Sequence, residues 1–120
     1  MAAGEPQADC LFCKILAGDI PATVVYENKD VLAFRDINPQ APVHILVIPR
    51  LHYANVGELG SAEPELTGKL LAAAAEIANA EDIVEPGYRI VFNTGAGAGQ
   101  TVFHVHAHLL GGRGMQWPPG

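Results

Sequence analysis

Three of the five histidines in this 120-residue chain stand at alternate positions. They are His104, His106 and His108, with Val105 and Ala107 between them and Leu109-Leu110 after them. Such alternation reads as a β-strand, in which every second side chain shares a face. The three imidazoles then line one side, and Val105 and Ala107 the other. A neutral imidazole nitrogen is a nucleophile at neutral pH when the other ring nitrogen is held by an acceptor. The run Gly95-Ala96-Gly97-Ala98-Gly99-Gln100-Thr101 leads into the strand. Its unobstructed N–H groups suit phosphate oxygens, or it is an ordinary small-residue turn; Gln100 and Thr101 add side-chain donors. His104 and His108 flank His106 and could donate to oxygens that gain charge in a transition state. Phosphoryl or nucleotidyl transfer, which rests on positioning and charge stabilisation, fits this set. A metal-dependent hydrolase is the rival, since imidazole also binds zinc. No carboxylate follows Glu85, so Asp36 would have to come from an earlier strand to complete that site.

A second constellation is Cys10-Leu11-Phe12-Cys13. No strand precedes it, which argues against a redox C-x-x-C and leaves a zinc site or two reduced thiols. A closed tetrahedral site needs two further ligands, and His52 and His104 are the candidates. His44, inside an apolar run, reads by itself as a core histidine.

The elements that must position these groups are few. Residues 1–9 read as a loose tail and 10–120 as one domain. A helical turn is expected over Cys10–Leu16, then a hairpin of strands Thr23–Glu27 and Val31–Asp36 around Asn28-Lys29-Asp30. Val43–Ile48 is nearly continuously apolar, as for a strand covered on both faces. Leu66, Leu70, Ala73, Ala74 and Ile77 recur at helical spacing and predict a helix over Ser61–Asn79, with Ser61 or Glu63 as its cap and Pro64 in its first turn. Tyr88–Asn93 is the fourth strand and the histidine segment the fifth. The closing Trp117-Pro118-Pro119-Gly120 is expected to dock on its own subunit or a neighbour. The fold class is α+β: a five-stranded antiparallel sheet carrying one main helix.

Composition narrows the function. Hydrophobic residues make up 49% and charged residues 17%, which indicates a globular chain rather than a disordered one. The net charge of −6 argues against general nucleic-acid binding. All thirteen acids lie at or before Glu85, whereas the stretch after it holds two arginines and three histidines. An anion near the histidine strand therefore meets no carboxylate from that part of the chain. No apolar run would cross a membrane, and residues 1–9 do not resemble a signal peptide, so a cytoplasmic protein is expected.

The histidine segment resembles the histidine-triad motif, His-φ-His-φ-His-φ-φ with φ apolar. From about Leu11 to Gly120 the chain is similar to that superfamily, and most of all to the histidine triad nucleotide-binding proteins, the purine nucleoside phosphoramidases. Further blocks carry the resemblance: Phe12-x-Lys14-Ile15, Asp19-Ile20-Pro21, Leu32-Ala33-Phe34-x-Asp36-Ile37, Pro39-Gln40-Ala41-Pro42-x-His44, Leu46-Val47-Ile48-Pro49, Gly99-Gln100-x-Val102 and Trp117-Pro118-Pro119-Gly120. The resemblance implies a homodimer whose two sheets join into one, with the C-terminal tail shaping the neighbouring site. It implies a purine nucleoside monophosphate pocket in which Phe12, Ile15, Ile20, Phe34 and Ile37 line the base and Asp36 holds the ribose. Asn93, Gly99, Gln100, Thr101 and His108 would surround the α-phosphate. His106 would be the nucleophile, with His44 supporting it from behind. The implied substrates are AMP or GMP phosphoramidates, including nucleotidyl-lysine, with no catalytic metal. A dinucleoside polyphosphate hydrolase or nucleotidyltransferase of the same fold and a nucleotide-binding adaptor are the alternatives. Thr101 stands where many members of the branch have serine. The C-x-x-C pair resembles the structural zinc site of bacterial relatives, completed by His52 and His104.

Overall fold

Alternation along two central strands produces a sheet with two unlike faces. The computed structural model describes residues 4–120. It contains α1 (Leu11–Leu16), β1 (Val24–Glu27), β2 (Val31–Arg35), β3 (Val43–Pro49), α2 (Val56–Ala62), α3 (Pro64–Ala80), β4 (Tyr88–Val91), a 3-10 turn at Ala96–Ala98 and β5 (Ala107–Gly111). The strands form one antiparallel sheet in the order β1-β2-β3-β5-β4. Val31, Ala33, Ile45, Val47, Ala107 and Leu109 point to one face and meet Leu66, Leu70, Ala73, Ala74 and Ile77 of α3. Leu32, Phe34, Leu46 and Ile48 point to the other and meet Phe12 and Cys13 of α1 and Cys10 at its N-cap. Each fully buried aliphatic side chain contributes roughly 1.5–3 kcal/mol by leaving water. The helix-covered face supplies the core, and the α1 face is left to build a site.

The single helix expected over 61–79 is two. Ser61 and Ala62 end α2, and α3 starts at Pro64. The break is at Glu63, held at φ −136° and ψ 65°, because the proline ring disfavours helical geometry in the residue before it. Asn55 caps α2 by accepting the Glu58 N–H at 2.9 Å. Glu63 occupies the α3 cap position without a side-chain cap bond; its carboxylate instead accepts the Tyr53 hydroxyl at 3.0 Å.

The fifth strand is also shorter than its sequence suggests. Ladder pairing begins at Ala107, opposite Val47; His104 and His106 precede the strand. Ile48 and Pro49 of β3 still pair with β2 but not with β5. The Val105 N–H then donates to Tyr53 O at 2.7 Å rather than to a strand. The side-chain alternation persists all the same, since Val105 and Ala107 join the α3 core.

Of the tail expected over 1–9, residues 1–3 lie outside the described residues. Residues 4–9 run along the body: Gly4 bridges His52, Gln7 O accepts the Cys10 N–H at 3.1 Å, and the Gln7 N–H points at Cys13 Sγ, 3.5 Å away. At the other end, Arg89 Nη2 donates to Gln116 O at 3.0 Å. The Trp117 ring is 83% exposed and does not dock on its own chain. Among the described residues, no helix is long and apolar enough to cross a membrane.

Candidate active site and metal centre

The α1 face opens into a pocket of about 340 Å³. Phe12, Ile15 and Leu11 of α1, Ile20-Pro21-Ala22 of the following loop, Phe34 of β2 and Leu46 of β3 form its apolar wall, and Asp36, Thr101, His106 and His108 supply its polar groups. Ile37 stands on the rim, fully exposed. Phe12 is central: its ring meets Phe34 edge-on at 5.5 Å and His106 at 5.1 Å between centroids. Leu46 and Val102 also belong to this wall, although the sequence marks them only as members of the resembling blocks and not as pocket residues. The signal for Leu46 was available, since it alternates with core-facing Ile45 and Val47.

Three expected phosphate neighbours are not on this wall. Asn93, Gly99 and Gln100 do not line the pocket. Gln100 is buried, and its amide is already spent. Its Oε1 accepts the Gly95 N–H at 2.9 Å, and its Nε2 donates to Ala54 O at 2.7 Å and Val102 O at 3.0 Å. The side chain ties the glycine loop to the body. Gly99, at φ 91°, ends that loop in a left-handed conformation that favours glycine.

Hydrogen bonds assign the histidine tautomers. His106 Nδ1–H donates to His104 O at 2.8 Å, which leaves the Nε2 lone pair free on a ring that lines the pocket. Burial holds its pKa below the ordinary 6.5, against the opposing pull of that carbonyl and of Asp36, so the ring is neutral at pH 7. His44 Nδ1 accepts the Gln40 N–H at 3.0 Å. Its Nε2 therefore carries the proton and donates to His108 Nδ1 at 2.9 Å, with Asp36 Oδ2 at 3.4 Å. His108 is left with Nε2–H as a donor. Burial, reinforced by the neighbouring His106 and His44, brings the His108 pKa down to about 4. His44 thus supports His108, not His106 as expected from the sequence. Asp36, His44 and His108 lie close enough to hold a metal. The Gln40 N–H argues against it, because it places the only His44 lone pair on the far side of the ring from the other two.

Cys10, Cys13, His52 and His104 come together as the sequence expected, all buried, with ligand atoms within 4.8 Å of one another. His52 Nδ1 is 3.3 Å from Cys13 Sγ and 3.1 Å from His104 Nδ1. His104 Nδ1 is 3.5 Å from Cys10 Sγ and 3.6 Å from Cys13 Sγ. Tetrahedral zinc, with bonds of about 2.0–2.1 Å to nitrogen and 2.3 Å to sulfur, spaces its ligands by roughly 3.3–3.8 Å, so the set fits. His104 Nε2–H donates to Pro49 O at 3.0 Å, turning the Nδ1 lone pair inward, the backing that metal-bound histidines usually have. Burial lowers the His104 pKa to about 4 and the His52 pKa below 6.5, keeping both rings unprotonated.

The chain is similar to known proteins across its length. A solved HIT family hydrolase from Legionella pneumophila Philadelphia 1 is 55% identical with a TM-score of 0.90, covering 93% of this chain and all of that one. A 14 kDa zinc-binding protein from Zea mays is 53% identical over 92% of this chain and 87% of its own. Adenylylsulfatase HINT1 from Arabidopsis thaliana is 47% identical over the whole of this chain and 82% of its own. The HIT domain model matches residues 17–115, and with His104, His106 and His108 gathered as described, the chain belongs to the histidine-triad (HIT) family.

Proposed function

We propose that this protein is a nucleoside phosphoramidase that cleaves the P–N bond of AMP or GMP phosphoramidates through a nucleotidyl-histidine on His106. The observation that carries the reading is the His106 Nδ1–H bond to its own neighbour's carbonyl, which leaves Nε2 unprotonated in a pocket. In the first step, His106 Nε2 attacks phosphorus, and the P–N bond breaks as the amine leaves with a proton drawn from water. In the second, water attacks phosphorus, the histidine nitrogen departs and AMP is released. His108 Nε2–H donates to the phosphoryl oxygens as their charge grows. The Phe12, Ile15, Ile20 and Phe34 wall suits a flat base, and Asp36 suits the ribose hydroxyls. A volume of about 340 Å³ lies at the lower end of the roughly 300–1,000 Å³ of small-molecule sites. The hydrolase and adenylylsulfatase names of the relatives support hydrolysis of a nucleotidyl bond. The zinc-binding relative supports a structural zinc at Cys10, Cys13, His52 and His104, where it would join three segments without touching the reacting atoms.

Two further readings belong to this proposal. The protein acts in the cytoplasm. It works as a homodimer joined through β4, a sheet-edge strand, with the exposed Trp117 ring reaching the neighbour; sedimentation at twice the 12.7 kDa chain mass checks this.

The test is hydrolysis of adenosine 5′-phosphoramidate beside adenylyl sulfate and diadenosine polyphosphate, with and without chelator, for wild type and His106→Asn. Fastest turnover of the phosphoramidate, insensitive to chelator during the assay and absent in the variant, supports the reading. Preference for adenylyl sulfate keeps the nucleophile and changes the leaving group. AMP binding without turnover of any substrate refutes the reading and favours a nucleotide-binding adaptor.

A further inference from the structure

The metal cluster and the nucleophile meet in one residue. The His104 ring presents Nδ1 to Cys10, Cys13 and His52, while its carbonyl accepts the proton that fixes the His106 tautomer. That carbonyl gets no help from the sheet, because ladder pairing starts only at Ala107. What holds residue 104 is its ring, anchored through Nε2 on Pro49 and through Nδ1 in the cluster, together with the Val105 N–H on Tyr53 O. The other half of the cluster brackets Phe12. Cys10 and Cys13 begin a helix of only six residues, and the ring between them touches both His106 and His104 edge-on, at 5.1 and 6.0 Å.

We propose that occupancy of the Cys10–Cys13–His52–His104 cluster by zinc sets the orientation of His106 and the position of Phe12, so that zinc and nucleotide bind cooperatively without touching. His104 is then a positioning residue acting through its carbonyl, and the cluster links segments separated by 39 and 52 residues in sequence where they surround the nucleophile. Without a metal, the His104 Nδ1 is held only by hydrogen bonds from the thiols and His52, a weaker and less directional anchor than a coordinate bond. The inference rests on the nucleotide reading of the pocket. Coupling between linked sites is commonly about 5- to 150-fold; with residue 104 still held by two hydrogen bonds, the lower end, about fivefold to tenfold, is expected.

The experiment is calorimetric titration of AMP into the full-length protein, stripped of metal and then reloaded with zinc. His52→Gln, which keeps three ligands, is measured alongside as the zinc concentration is raised. AMP should bind about fivefold to tenfold more tightly to the loaded protein, and zinc affinity should rise by the same factor when AMP is present, because linkage is reciprocal. Nitrogen-15 spectra of the His106 ring at fixed neutral pH should give one tautomer when loaded and a mixture when stripped. Equal AMP affinity and an unchanged ring spectrum at zero and full occupancy would overturn the proposal. Global unfolding of both stripped proteins would also overturn it, since the metal would then hold the fold and not this segment. If AMP binds neither form, the nucleotide reading fails, while the ring spectrum still decides the linkage.

Discussion

Replacing His44 by phenylalanine keeps a ring of similar volume in the sheet and removes both nitrogens. Two partners lose a bond: the Gln40 N–H at 3.0 Å and His108 Nδ1 at 2.9 Å. Gln40 is exposed, so water takes its place. The His108 nitrogen faces a residue only 5% exposed, and leaving such a group unpaired costs about 1–3 kcal/mol. It also frees His108 to turn either nitrogen towards the pocket. A lone pair in place of Nε2–H would repel the phosphoryl oxygens it should stabilise. Losing one such donor at about 1.4–2.8 kcal/mol corresponds to roughly 10- to 100-fold in rate. His44→Gln puts an amide N–H near the original Nε2 position and should recover part of the loss. Single-turnover hydrolysis of adenosine 5′-phosphoramidate, measured beside AMP affinity, separates the rate effect from binding. A His44→Phe rate within twofold of wild type would refute the relay, as would a glutamine variant as slow as the phenylalanine one.

Other outcomes follow from the same geometry. His108 is unprotonated in the fold, with its pKa lowered from 6.5 to about 4, so between those values the unfolded chain binds more protons than the folded one. Its contribution is complete above about pH 6.5 and is lost as pH falls to 4, on the order of 3 kcal/mol. The urea midpoint should drop across that window in wild type and less in His108→Asn, and equal slopes would refute the assignment. Gln100→Ala removes bonds to Gly95, Ala54 and Val102, and should cost about 2 kcal/mol of stability while AMP affinity stays within threefold. A large affinity loss at unchanged stability would return Gln100 to the phosphate.

Much of the fold is written in local pattern. The apolar runs of β2 and β3, bounded by turn residues, and the 3.6-residue recurrence from Leu66 to Ile77 identify the sheet and its main helix, because each records what leaves water. The family is legible from the histidine spacing and its flanking blocks, and the structure brings together Cys10, Cys13, His52 and His104, the four residues named from the C-x-x-C pair and two histidines. What depended on particular neighbours was not legible. Pro64 splits the helix through a backbone clash at Glu63, and pairing of the fifth strand with β3 starts only at Ala107, after His106. Gln100 reads as a donor for phosphate until the loop it ties is seen to use up its amide. His44 looked like a partner of His106, and only the register that sets His44 opposite Leu110 and Leu46 opposite His108 directs it to His108 instead. Residue types and spacing determined which chemistry is available to this protein. The tertiary structure decided which nitrogen carries each proton, because a tautomer depends on what stands 3 Å away, and that partner comes from distant parts of the chain.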